Sequence, residues 1–200
     1  MDLKIGEVIQ ATTMDFMAQC LKQNLDQLTL PKPPPFGSFV KVDCQESEIN
    51  IIGVIYRVET GSIDNVHRPI AMNLTRQELR EQQPQIFDLL KTDFYALIIG
   101  YQENNKIYQY LPPHPPQIHD FVYTCNEKEV RKITQNLDFL RTILESTCNP
   151  TDELIAATLR IYYQINGQNK EFLIKAGKEL SSLLKDDYDR LKGILKRIYY

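Results

Sequence analysis

The chain has 200 residues, 42% of them hydrophobic and 24% charged, with a formal net charge of -3 and a pI near 5.7. That balance describes a globular protein long enough to bury a substantial core, and it excludes a strongly basic domain built for nucleic acid. No apolar run approaches the ~18 residues needed to span a bilayer. The opening Met1-Asp2-Leu3-Lys4-Ile5-Gly6 lacks the apolar core and cleavage site of a signal peptide, so a cytoplasmic location is expected.

Lys4 to Gln10 alternates like a strand, and Phe16 to Leu21 forms a second apolar segment beyond a turn expected at Ala11-Thr12-Thr13-Met14-Asp15. Residues 30–38 hold four prolines, which lack amide donors and fix φ, so this stretch is read as extended backbone. Phe39 to Val42 resumes a strand. From Ile49 to Val58 the apolar run is continuous, which predicts a strand buried on both faces.

The period changes at Thr75. Thr75 and Glu78 fit a capping box, predicting a helix to about Gln83, where Pro84 kinks it or starts a second short helix to Leu90. Phe94 to Tyr101 reads as another buried strand, turned back at Asn104-Asn105 into a hairpin. Tyr110-Leu111-Pro112-Pro113-His114-Pro115-Pro116 is a stiff rod feeding a last strand from Ile118 to Tyr123. The barrel core is expected to include Val8, Ile52, Val54, Ile98 and Val122.

After Cys125 everything reads as helix. Val130, Ile133, Leu137, Leu140 and Leu144 recur at steps of three and four, as one stripe. Asn149 is the expected cap of the next helix, with Pro150 in its first turn, and Gly167 its end. Phe172, Ala176, Leu180, Leu183 and Leu184 mark a third helix. Tyr188, Leu191, Leu195 and Ile198 mark a fourth. The expected class is α+β: a small closed β-barrel over residues 1–125 with a helical insertion near 75–91, then a helical appendage over 126–200.

The wording of residues 4–16, 34–42, 51–62 and 110–123 resembles the HAS barrel. That barrel is shared by the HerA-type DNA-translocating ATPases and rotary ATP synthase subunits. The chain is most similar to the stand-alone HAS-barrel proteins of oxygenic photosynthetic bacteria, which have the barrel without an ATPase. The resemblance implies a six-stranded closed sheet that docks a partner, with ring ATPases or another large complex as the partner class. It does not extend to a nucleotide site or to the helices after Asn126.

Candidate chemistry is sparse. The nearest text to a phosphate-binding loop, Ala176-Gly177-Lys178-Glu179, has Glu179 where a magnesium-binding hydroxyl belongs and lies within a helix. Cys20, Cys44, Cys125 and Cys148 form no C-x-x-C pair and have no histidine at zinc spacing, so they read as small apolar fillers in a reducing compartment. His67, His114 and His119 have no nucleophile elbow beside them. The expectation is a protein that is not an enzyme and uses no cofactor or metal.

Two partner-binding segments stand out. One is the rod, through Tyr110, Pro112, Pro113, His114 and Pro115, because a pre-extended segment loses little entropy on binding. The other is the last helix, where Arg190, Lys192, Lys196 and Arg197 flank an apolar stripe and favour steering toward a partner protein. The alternative is an OB-like accessory protein for nucleic acid, with Lys41, Arg57 and Arg68 as a basic spot and Tyr56, Tyr101, Tyr108 and Tyr110 as stacking faces.

Overall fold

A computed structural model describes residues 3–21, 33–64 and 69–198. The described residues form seven strands: β1 (Lys4–Ala11), β2 (Asp15–Cys20), β3 (Phe39–Asp43), β4 (Ile49–Ser62), β5 (Leu90–Glu103), β6 (Lys106–Tyr108) and β7 (Phe121–Thr124). They run in the order β2-β1-β7-β3-β4-β5-β6, every pair antiparallel, and β2 also pairs β5. That second pairing closes a six-stranded barrel and leaves β6 as a flap outside it.

β5 serves two partners along one edge. Its residues 93–97 pair β2, and its residues 101–103 pair β6. The switch falls at a bulge where Ile52 faces Gly100 while Gly53 faces Ile98. Backbone passes so close at Gly100 that a Cβ there would lie 2.1 Å from the Tyr108 carbonyl oxygen. Only glycine admits that approach. Asn104 and Asn105, at φ 46° and 65°, make the hairpin turn in the left-handed region that asparagine tolerates.

The continuous apolar runs of β4 and β5 are explained by two cores. Ile51, Ile55, Phe94, Ala96 and Ile98 point into the barrel with Val8, Phe16 and Val122. Ile52, Val54, Leu97 and Ile99 point outward, into a second core with the helices. All five predicted core residues are buried, but Ile52 and Val54 face the helical layer rather than the lumen, as period-two alternation requires.

Between β4 and β5 lies the insertion, with α1 (Arg76–Gln82) and α2 (Gln85–Asp88). The capping box is present: Thr75 accepts from the Glu78 amide while the Glu78 carboxylate accepts from the Thr75 amide at 2.7 Å. Beyond β7 come α3 (Glu127–Ile133), α4 (Phe139–Glu145), α5 (Thr151–Ile165), α6 (Lys170–Leu183) and α7 (Tyr188–Ile198).

Three local expectations are corrected. The stripe from Val130 to Leu144 is two helices, because Gln109 occupies the break. Its side-chain amide donates to the carbonyls of Ile133 (2.6 Å) and Asn136 (3.0 Å), and its oxygen accepts from the Phe139 amide (2.9 Å). Asn149 does not cap α5, whose N-cap position is Pro150 with no side-chain bond. The last strand starts at Phe121 rather than Ile118, since Asp120 accepts from the Gln117 amide (2.8 Å) and His119 sits at φ 76° in a turn.

The helices are no detached appendage. Gly37, at φ +83°, lies against the α5 backbone, and Phe39 meets Phe139 edge to face at 5.8 Å. Such a ring pair contributes about 0.5–1.5 kcal/mol beyond its burial. No described helix is long and apolar enough to cross a membrane.

Burial also governs the thiols. It pushes Cys20 and Cys44 up to about 12, with Asp93 and Asp120 adding to the effect. At pH 8 only about one in ten thousand of either is thiolate. Ellman's reagent at pH 8 is therefore expected to reach the half-buried Cys125 first, and Cys20 and Cys44 only on unfolding. Rapid labelling of Cys20 or Cys44 in the native protein would contradict the packing described.

Candidate protein-docking surface

Residues 110–116 cross the surface without regular structure. Pro112 and Pro116 are buried, while Pro113, His114 and Pro115 are exposed. Tyr110 is 58% exposed and Leu111 40%. The segment is thus held at two prolines and offers the side chains before and between them to solvent. The backbone bends at Tyr110 and again at Pro113 and His114, so the stretch read as a straight rod is a bent segment, restrained by the fixed φ of its prolines.

Beside the rod, and including its Tyr110, is an aromatic stack. Tyr101 and Tyr108 stack at 5.1 Å, and Tyr110 meets Tyr101 edge-on at 5.7 Å. A hydrogen bond with the Tyr110 side chain holds the Tyr101 hydroxyl up at about 12. A cavity of about 410 Å³ is lined by Glu46, Glu48, Glu103 and Asp120 together with Pro113, His114 and Pro115. Gln117 bridges its wall by donating to Glu46 at 2.7 Å. Glu103 of that cavity also acts electrostatically on the Tyr101 hydroxyl, so the aromatic stack and the acidic cavity adjoin.

The second predicted segment has a different setting. Leu191, Ile194 and Ile198 of α7 are buried in the core shared with α5 and α6. The Arg190 guanidinium binds Asp152 at 2.8 Å, which holds it above its ordinary range, and Arg197 binds Glu153 at 2.5 Å. Both acids lie in the first turn of α5. The stripe read as a docking face is internal, and two of its four flanking cations fix α7 onto α5. Lys192 and Lys196 remain exposed, as does Tyr188 at 72%, which leaves the stripe. Asp187 caps α7 by accepting from the Arg190 amide.

Of the residues suggested for nucleic acid, Tyr101, Tyr108 and Tyr110 are gathered in one stack, whereas the two described cations are each paired with a carboxylate. Lys41 pairs with Glu129 and Arg57 with Glu59, while His67 and Arg68 lie outside the described residues. Tyr56 donates to Asp15 at 2.8 Å and neighbours Tyr95 rather than the Tyr101 stack. Tyr108 and Tyr110 do share a groove of about 460 Å³ with Lys106 and Lys132, but Lys132 is engaged by the Asn105 side chain at 2.7 Å. Among the described residues, no three His, Cys, Asp or Glu side chains are grouped to hold a metal ion.

Sequence reasoning missed a surface on the insertion. Ile63 (54% exposed), Ile70 (79%) and Leu89 (45%) are large apolar side chains in water. Their spacing follows neither the helical nor the strand period, so no pattern announced them. No protein-family model matches the chain, and no curated protein matches it either.

Proposed function

We propose that the chain is a non-catalytic docking module that binds a partner protein through the 110–116 rod. The observation that carries this is the rod's mounting: buried at Pro112 and Pro116, exposed at Tyr110, Leu111, Pro113 and Pro115. A segment already anchored before binding pays little ordering entropy, and exposed tyrosine is a frequent anchor in interfaces. The carboxylates of Glu46, Glu48 and Glu103 on one flank favour a partner surface that is basic beside its apolar contact. The resemblance to the HAS barrel supports a ring ATPase or another large complex as that partner, met in the cytoplasm.

A single-stranded nucleic acid on Tyr108, Tyr110 and Lys106 is the second reading, favoured by their common groove. One experiment separates the two. Tagged full-length chain and its Tyr110→Ser/Leu111→Ser variant are purified from the native host, with and without nuclease, and their melting temperatures compared. The docking reading expects a defined protein lost from the variant at unchanged melting temperature and unaffected by nuclease. A nuclease-sensitive complex transfers the surface to nucleic acid. An identical protein set on both baits removes the rod from the interface.

A further inference from the structure

β4 and β5 pair along their whole length, from Ile49 opposite Glu103 to Ser62 opposite Leu90. Ile49 and Glu103 line the cavity beside the rod, whereas Ser62 and Leu90 line a second cavity under the insertion. At about 3.3 Å per residue the two lie at opposite ends of a ladder up to roughly 40 Å long. The second cavity, also about 410 Å³, is walled by side chains of α1, α2 and the loop before them, among them Ile70, Met72, Leu79 and Phe87.

The insertion has no core of its own. No apolar residue described between positions 63 and 90 is buried, and none belongs to either core of the molecule. Helices as short as α1 and α2, of 7 and 4 residues, have little stability alone and ordinarily persist by burying a face. Here that face lines the groove. Exposed apolar surface also continues past it, since Ile63 is 54% exposed yet lies outside the lining. A small molecule filling the cavity would leave Ile63 in water; a protein segment lying along the insertion would cover both.

The charge pattern narrows the occupant. Among the described residues, Arg76 is the single charged residue lining the groove, and no described carboxylate lines it. A guanidinium at the rim of an apolar groove selects a carboxylate, which it binds with two parallel hydrogen bonds. Most of its lining lies on two short helices and the loops beside them rather than along a strand edge, so the mode is helix-in-groove and not strand addition. We propose that the insertion is a second docking site, which takes an amphipathic helix of a partner protein carrying an Asp or Glu beside its apolar face, with Arg76 as the counterion. The proposal goes beyond the rod and stands without it. With both ends of the ladder occupied, the barrel becomes a spacer joining two partners.

The probe is a displayed library of amphipathic helical peptides, randomised in the residues flanking the apolar face and selected on the full chain. Selected peptides are expected to carry an acidic residue at a fixed offset from their apolar anchors. Ile70→Asp should weaken them about tenfold or more, and Arg76→Glu about fivefold or more. Exchanging the peptide's acid for lysine should reverse the effect, weakening binding to the native chain and restoring it to Arg76→Glu. Both positions are exposed, and glutamate in the first turn suits α1, so the variants should melt with the parent. Binders indifferent to Arg76→Glu, or no binder sensitive to Ile70→Asp, would overturn the assignment. So would a chain that sediments as a dimer and is dispersed by Ile70→Asp, because the groove would then hold a second copy.

Discussion

Removing residues 185–200 is expected to lower the melting temperature by about 10–20 °C and to loosen the helical layer. Leu191, Ile194 and Ile198 are at most 8% exposed. Each buried side chain of this kind contributes about 1.5–3 kcal/mol, so together they amount to a large part of a typical net stability of roughly 5–15 kcal/mol. In a chain of this size 1 kcal/mol moves the midpoint about 2–4 °C. Point substitutions locate the cause. Ile194→Ala, at a fully buried position, should cost about 2–5 kcal/mol, whereas Arg197→Ala should cost less than about 1 kcal/mol because that ion pair is solvent-exposed. A truncated chain that melts with the parent would return α7 to the role of a docking helix.

The second large effect is expected at Gly37. Its φ of +83° disfavours any side chain, and a Cβ there would sit 2.7 Å from the Ala157 Cβ and 2.9 Å from backbone atoms of Ala157 and Thr158. Backbone on a regular helix yields little, so Gly37→Ala must push α5 away from the barrel. The left-handed conformation costs about 1–2 kcal/mol and the overpacking about 1–3 kcal/mol more. Thermal or denaturant unfolding of the full chain measures the sum. Replacement of Gly61 by Ala provides the control, since nothing lies within 4 Å of an added Cβ there. Equal stability of the two variants would show that the barrel and α5 are not in the contact described.

What the sequence made legible follows the same physics. β4 and β5 were readable because burial on both faces removes the alternation and leaves unbroken apolar runs of β-branched residues. The capping box at Thr75 was readable because both halves of the motif are three residues apart. The α3–α4 break was not, because the apolar period runs straight through it and its cause, Gln109, comes from the barrel's flap. The cations of α7 looked available because their partners, Asp152 and Glu153, lie far away in the chain. Of the candidate site, the rod was visible in its prolines. The insertion groove was not, since it consists of apolar residues that the fold leaves uncovered and that carry no period.

Docking of a partner protein through the rod, as proposed above, is most readily caught by a photo-crosslinker placed in the chain. Benzoylphenylalanine replacing Tyr110 is compared in the native host with the same group replacing Tyr188, which is also exposed but lies on α7. One or a few discrete protein adducts are expected at position 110 and none of them at 188. Absence of a protein adduct at 110, or the same adducts at both positions, would contradict it.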